Sequence, residues 1–141
     1  YIESANHLIK QKYTYKGGIC FLGGSAGGLT GTAVANMAPE LFFSMLLLVP
    51  FCDPLTTMLN EKLPLTPSEW KLWGNPIKSK KYFESILSYS PYNNLRKTSY
   101  PPMFVTTSLF DSRVLSPALE MFWEDSLDLT LLLIFLGFAI S

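Results

Sequence analysis

Histidine is nearly absent from this chain: His7 is the single one, and none follows it in 141 residues. Any nucleophile further along therefore has no imidazole after it to take its proton. Cysteine is scarce as well. Cys20 and Cys52 lie far apart in apolar stretches, and their spacing is not that of a metal site, so no metal is expected. Two isolated thiols suit a reducing compartment, which makes a cytoplasmic location the expectation. Charge of one sign is also missing: eleven basic residues balance eleven acidic ones. That balance argues against nucleic acid or an anionic membrane surface as a partner. The longest apolar run, residues 129–140, falls short of the ~20 residues a spanning helix needs, so no membrane is expected. It reads as a buried strand or helix whose covering partner is absent. No basic segment followed by an apolar run opens the chain, so no secretory signal is expected. The sequence starts at Tyr1 with an amphipathic pattern already under way, and both ends read as cut. Internal repeats and low-complexity tracts are lacking too.

What is present suffices for a core. Hydrophobic residues make up 48% of the chain, which excludes disorder and suits one domain or part of one. Residues 1–12 set Ile2, Ala5, Leu8 and Ile9 along one helical face. Residues 19–22 form a continuous apolar run ended by glycines, the pattern of a strand buried on both faces. Residues 27–37 are small and helix-compatible, with Pro39 as the stop. Further strands are expected at 45–49 and 103–107, with loops and short helices between 51 and 94. There Thr66 reads as an N-cap, followed by Pro67 at the first helical position and Glu69 at the third. Residues 80–87 and 116–123 are further candidate helices. Strands alternating with helices predict an α/β fold, a mostly parallel sheet with helices on both faces.

The turn between the first strand and its helix reads Gly23-Gly24-Ser25-Ala26-Gly27-Gly28. A serine on a sharp strand-to-helix turn, with glycine two positions before and after, is the nucleophile elbow of the α/β-hydrolase fold. The glycines are expected to leave room for the strained backbone. The Ala26 N–H, at the positive end of a helix, would serve as one oxyanion donor. A plain glycine-rich turn or a phosphate loop is the alternative; no Gly-Lys-Ser/Thr follows, and the dinucleotide spacing is not met. Asp111 comes after the strand expected at 103–107, where this fold carries its triad carboxylate in the order Ser, Asp, His. Taken alone it reads equally as an ordinary loop aspartate.

From Phe21 to Asp111 the chain resembles the catalytic domain of the prolyl oligopeptidase family, and most of all its oligopeptidase B branch. The stretches that carry the resemblance are the serine turn, Val34-Ala35-Asn36-Met37, Pro39-Glu40-Leu41-Phe42 and Val49-Pro50-Phe51. They continue through Pro64-Leu65-Thr66, Glu69-Trp70, Trp73-Gly74-Asn75-Pro76 and Ser88-Tyr89-Ser90-Pro91-Tyr92. The likeness implies a cofactor-free serine peptidase acting on short peptides, with residues 1–115 as a partial catalytic domain and 116–141 as a divergent apolar tail. It implies Ser25 as nucleophile, Asp111 as triad aspartate and Arg113 as a ligand of the substrate backbone. It also implies that Glu69 favours Lys or Arg before the cleaved bond, which is sound chemistry because a neutral side chain there would leave the carboxylate unpaired. Without the resemblance Glu69 reads as a solvated first-turn residue.

The sequence departs from the family after Arg113, where the catalytic histidine should follow. His7, on the first helix, reads as a half-exposed helix residue rather than a replacement base. Two expectations stand side by side. One is a serine peptidase fragment, inactive alone, whose missing histidine either a companion chain or a further stretch of the protein would supply. The other is a decayed remnant or a scaffold that binds peptides without cutting them.

Overall fold

The computed structural model describes residues 1–106 and the backbone of residues 132–133. The chain opens with α1 (Ile2–Lys10) and enters β1 (Ile19–Ser25). Next come α2 (Ala26–Met37), a short 3-10 turn at Pro39–Leu41 and β2 (Phe42–Pro50). Three short helices follow, α3 (Pro54–Leu59), α4 (Thr66–Trp73) and α5 (Lys80–Tyr89), before β3 (Met103–Thr106) and β4 (Leu132–Leu133). The four strands form one sheet in the order β1-β2-β3-β4, every neighbouring pair parallel. The expected strands at 19–22, 45–49 and 103–107 are thus neighbours. Of the apolar run 129–140, the described pair 132–133 is strand; the rest, and the candidate helix at 116–123, lie outside the described residues.

Period-2 alternation decides what the sheet buries. Phe21, Met45, Leu47, Met103 and Val105 share one face and pack with Val34 and Ala35 of α2. Gly31 lets that helix approach, since a Cβ there would collide with the Phe21 and Leu47 side chains. Helix α1 joins the same face through buried Ala5, and the Tyr1 ring lies against Phe21 at 5.2 Å. The opposite face is bare among the described residues: Leu22 is 68% exposed, Leu46 41% and Leu48 44%. The strand at 19–22, expected to be buried on both faces, is therefore covered on one, because α1 and α2 both lie on the Phe21 side.

A second core joins Leu29 of α2 to Phe51, Leu55, Met58 and Ile86, with Trp70 and Trp73 packed against it. It ties α3, α4 and α5 to the start of α2, beside the serine turn. Asp53 caps α3 by accepting from the Thr56 N–H at 3.0 Å, with Pro54 at the first turn. Thr66 does not cap α4 as expected. It lies inside the helix, and its buried hydroxyl donates to the Thr57 carbonyl at 3.0 Å, pinning α4 to α3. Asn36 is buried in α2 with both amide ends used: Nδ2 donates to the Pro91 carbonyl (2.9 Å), and Oδ1 accepts from the Tyr100 hydroxyl (2.7 Å). No described helix is long and apolar enough to cross a membrane.

Candidate active site

Ser25 ends β1 and immediately precedes α2, with φ 51° and ψ −120°. A positive φ is costly for a residue with a Cβ, so this backbone is strained. The side chain is exposed, and the turn sets it at the C-terminal edge of the sheet. The neighbouring strand is irregular at the same level. Gly24 pairs with Leu48 and Ser25 with Pro50, so Val49 is an extra residue, and its φ is 46°. A β-branched residue at positive φ inside a bulge is a second strained point beside the first. The Phe51 N–H donates to the Ser25 carbonyl at 3.0 Å and closes the turn.

The glycines divide differently from the expectation. A Cβ on Gly23 would lie 2.7 Å from the Gly27 carbonyl oxygen, and one on Gly28 would lie 2.5 Å from the Pro50 Cα. A Cβ on Gly27 would meet nothing within 4 Å. Close approach therefore demands Gly23 and Gly28, whereas Gly27 faces open space. Ala26 is the first residue of α2. Its N–H belongs to the first turn, which has no intrahelical acceptors, and it sits at the positive end of the helix.

Ser25 and Ala26 line a cavity of about 200 Å³ together with Phe51, Met58, Glu69 and Trp73. Glu69, half-buried on α4, accepts a hydrogen bond from the Trp73 indole N–H, Nε1 to Oε2, at 3.1 Å. The Trp73 ring meets Phe51 edge-on at 6.1 Å. Ion pairs among the described residues are Lys16–Glu40 and Lys80–Glu84, so the Glu69 carboxylate has no cation beside it there. The structure thus brings Ser25, Ala26 and Glu69 to one cavity. Asp111 and Arg113 lie outside the described residues. His7 is exposed on α1 and does not line the cavity. Burial pushes the Cys52 thiol up to about 12; the Thr32 hydroxyl pulls it back and the nearby Asp53 carboxylate adds to the rise. Burial also raises the Tyr89 phenol. Both groups stay protonated near neutrality, so neither is a ready nucleophile. No group of three or more His, Cys, Asp or Glu among the described residues could hold a metal ion.

Residues 1–127 match the family described as the prolyl oligopeptidase family. The chain belongs to that family. It is 48% identical over 124 residues to dipeptidyl aminopeptidase BI of Pseudoxanthomonas mexicana, covering 88% of this chain and 16% of that protein. It is 50% identical over 114 residues to protease 2 of Moraxella lacunata, covering 81% of this chain and 16% of that one. The structure of oligopeptidase B from Leishmania major superposes with a TM-score of 0.87 at 38% identity, over 95% of this chain and 19% of that chain. The fold is accordingly that of the α/β-hydrolases, and the likeness to oligopeptidase B seen in the sequence holds. The chain spans about a sixth of the length of the curated relatives it matches.

Three residues of the site escaped sequence reasoning. Val49 carries no glycine or asparagine signal for its positive φ. Phe51 and Trp73 stand in stretches that carry the family resemblance, but the sequence assigns no role to either. For Trp73 a signal did exist: it stands four residues after Glu69 on a helix, the spacing at which two side chains meet.

Proposed function

We propose that this chain is the nucleophile-bearing part of an oligopeptidase B-like serine peptidase that cleaves short peptides after Lys or Arg. The observation that carries the reading is one cavity shared by a strained strand-to-helix serine and a carboxylate with no cation beside it among the described residues. In this reading Ser25 Oγ attacks the scissile carbonyl, and the Ala26 N–H receives the oxyanion. Glu69 takes the basic side chain before the cleaved bond, Arg113 holds the substrate backbone, and Asp111 orients the base. That base is an imidazole, and no histidine follows Ser25 in these 141 residues. Alone, Ser25 remains a neutral alcohol, and losing the triad histidine lowers the rate by about six orders of magnitude. A histidine from a companion polypeptide or from a further stretch of the protein would complete the site, and short basic peptides are the expected partners.

The test is hydrolysis of an arginyl reporter beside an alanyl one, with fluorophosphonate labelling in parallel. The 141-residue chain should hydrolyse neither reporter above its Ser25→Ala variant. Added imidazole should accelerate labelling at Ser25 and restore Ser25-dependent hydrolysis of the arginyl reporter in preference to the alanyl one. Fast unassisted turnover would reveal a base within the chain. No Ser25-dependent turnover even with imidazole would favour the second reading, a decayed remnant or a peptide-binding scaffold. That reading draws support from the placement of the lone histidine, exposed on α1 and away from the cavity.

A further inference from the structure

We infer that Trp73 is the positioning residue that sets the site's preference for a cation, by fixing Glu69 relative to the strained Ser25 turn. The inference rests on the reading of Glu69 as the seat of a basic side chain, and it names what makes that seat selective. A glutamate has three side-chain torsions, and a half-buried one left free would sample positions that miss the ligand's charge. Here its Oε2 is held by the Trp73 indole N–H at 3.1 Å, one helical turn away.

The kind of donor matters. An indole N–H donates once and carries no charge. It fixes one oxygen of the carboxylate without neutralising it, which a lysine or arginine would do. The other oxygen, Oε1, has no partner among the described residues. The carboxylate is therefore oriented and still available.

Trp73 is itself anchored to the serine turn. Its ring meets Phe51 edge-on at 6.1 Å, an arrangement aromatic pairs favour. The Phe51 N–H in turn donates to the Ser25 carbonyl at 3.0 Å. A continuous path thus runs from the Ser25 backbone through Phe51 and Trp73 to the carboxylate, all of it lining one cavity of about 200 Å³. This path sets the spacing between the reacting serine and the charge that selects the side chain.

Benzamidine and its neutral relative benzamide are the probes, titrated into the 141-residue chain by calorimetry. Wild type should prefer benzamidine, and Glu69→Gln should abolish that preference. Trp73→Phe keeps a ring against Phe51 but loses the N–H. It should weaken benzamidine binding roughly tenfold, the scale of one hydrogen bond to a charged group, and leave benzamide unchanged. Trp73→Phe binding benzamidine as wild type does, while Glu69→Gln does not, overturns the role given to Trp73. Equal loss of both probes in Trp73→Phe also overturns it, since that marks general packing. If Glu69→Gln still prefers benzamidine, the underlying reading of Glu69 fails instead. A measurement without any change at Trp73 guards against a misfolded variant. One indole N–H proton resonance should lie downfield in wild type and move upfield in Glu69→Ala; three indole resonances indifferent to that substitution would overturn the inference.

Discussion

At the scale of single residues, Ser25 pays a conformational cost that its neighbours make possible. Its φ of 51° is held by the Phe51 N–H on its carbonyl and by the absence of a side chain at Gly23 and Gly28. Holding a residue with a Cβ in such a region costs about 1–3 kcal/mol. Ser25→Gly should therefore raise stability by about 1 kcal/mol over Ser25→Ala, because alanine keeps the Cβ and the strain while glycine keeps neither. Urea unfolding of the two variants checks this, and equal midpoints would remove the strain argument. The strained turn leaves Ser25 exposed at the edge of the sheet.

At the scale of elements, α2 is tied to the segment before β3 by buried polar groups rather than by apolar contact alone. Tyr100→Phe removes the donor to Asn36 Oδ1 and leaves a buried acceptor unpaired, at a cost of about 1–3 kcal/mol. Denaturant unfolding should show that loss, and adding Asn36→Ala should give less than the sum of the two single effects, since the residues share one network. Elements of this kind were largely legible in the sequence. Apolar runs ended by glycine or proline marked β1 and β2, and small residues marked α2. What could not be read came from tertiary placement. The run Ile19-Cys20-Phe21-Leu22 is apolar throughout, so nothing in it tells that Phe21 is buried and Leu22 exposed. Thr66 followed by Pro67 looks like a cap, yet the Thr57 carbonyl of α3 claims its hydroxyl. Motif and resemblance singled out Ser25 and Glu69, and the structure places both at one cavity; the indole that holds Glu69 became visible only when α4 was wound.

At the scale of the whole molecule, the sheet has one covered and one bare side among the described residues. Leu22, Leu46 and Leu48 on adjacent strands make a contiguous apolar patch, the kind that recruits a partner surface or a hydrophobic dye. The 141-residue chain should bind such a dye strongly, and the triple change Leu22→Ser, Leu46→Ser and Leu48→Ser should abolish most of that fluorescence. Undiminished signal would place the sticky surface elsewhere. The order of the strands has a different consequence. Because β1, β2 and β3 lie side by side in the order they occur along the chain, each finds its neighbour already made as the polypeptide leaves the ribosome. The hydrogen bond that closes the serine turn comes from Phe51. The strained serine turn can therefore close once Phe51, just past the end of β2, has emerged, before α4 has left the ribosome. Nascent-chain folding would shape the serine turn first and complete the cavity beside it afterwards.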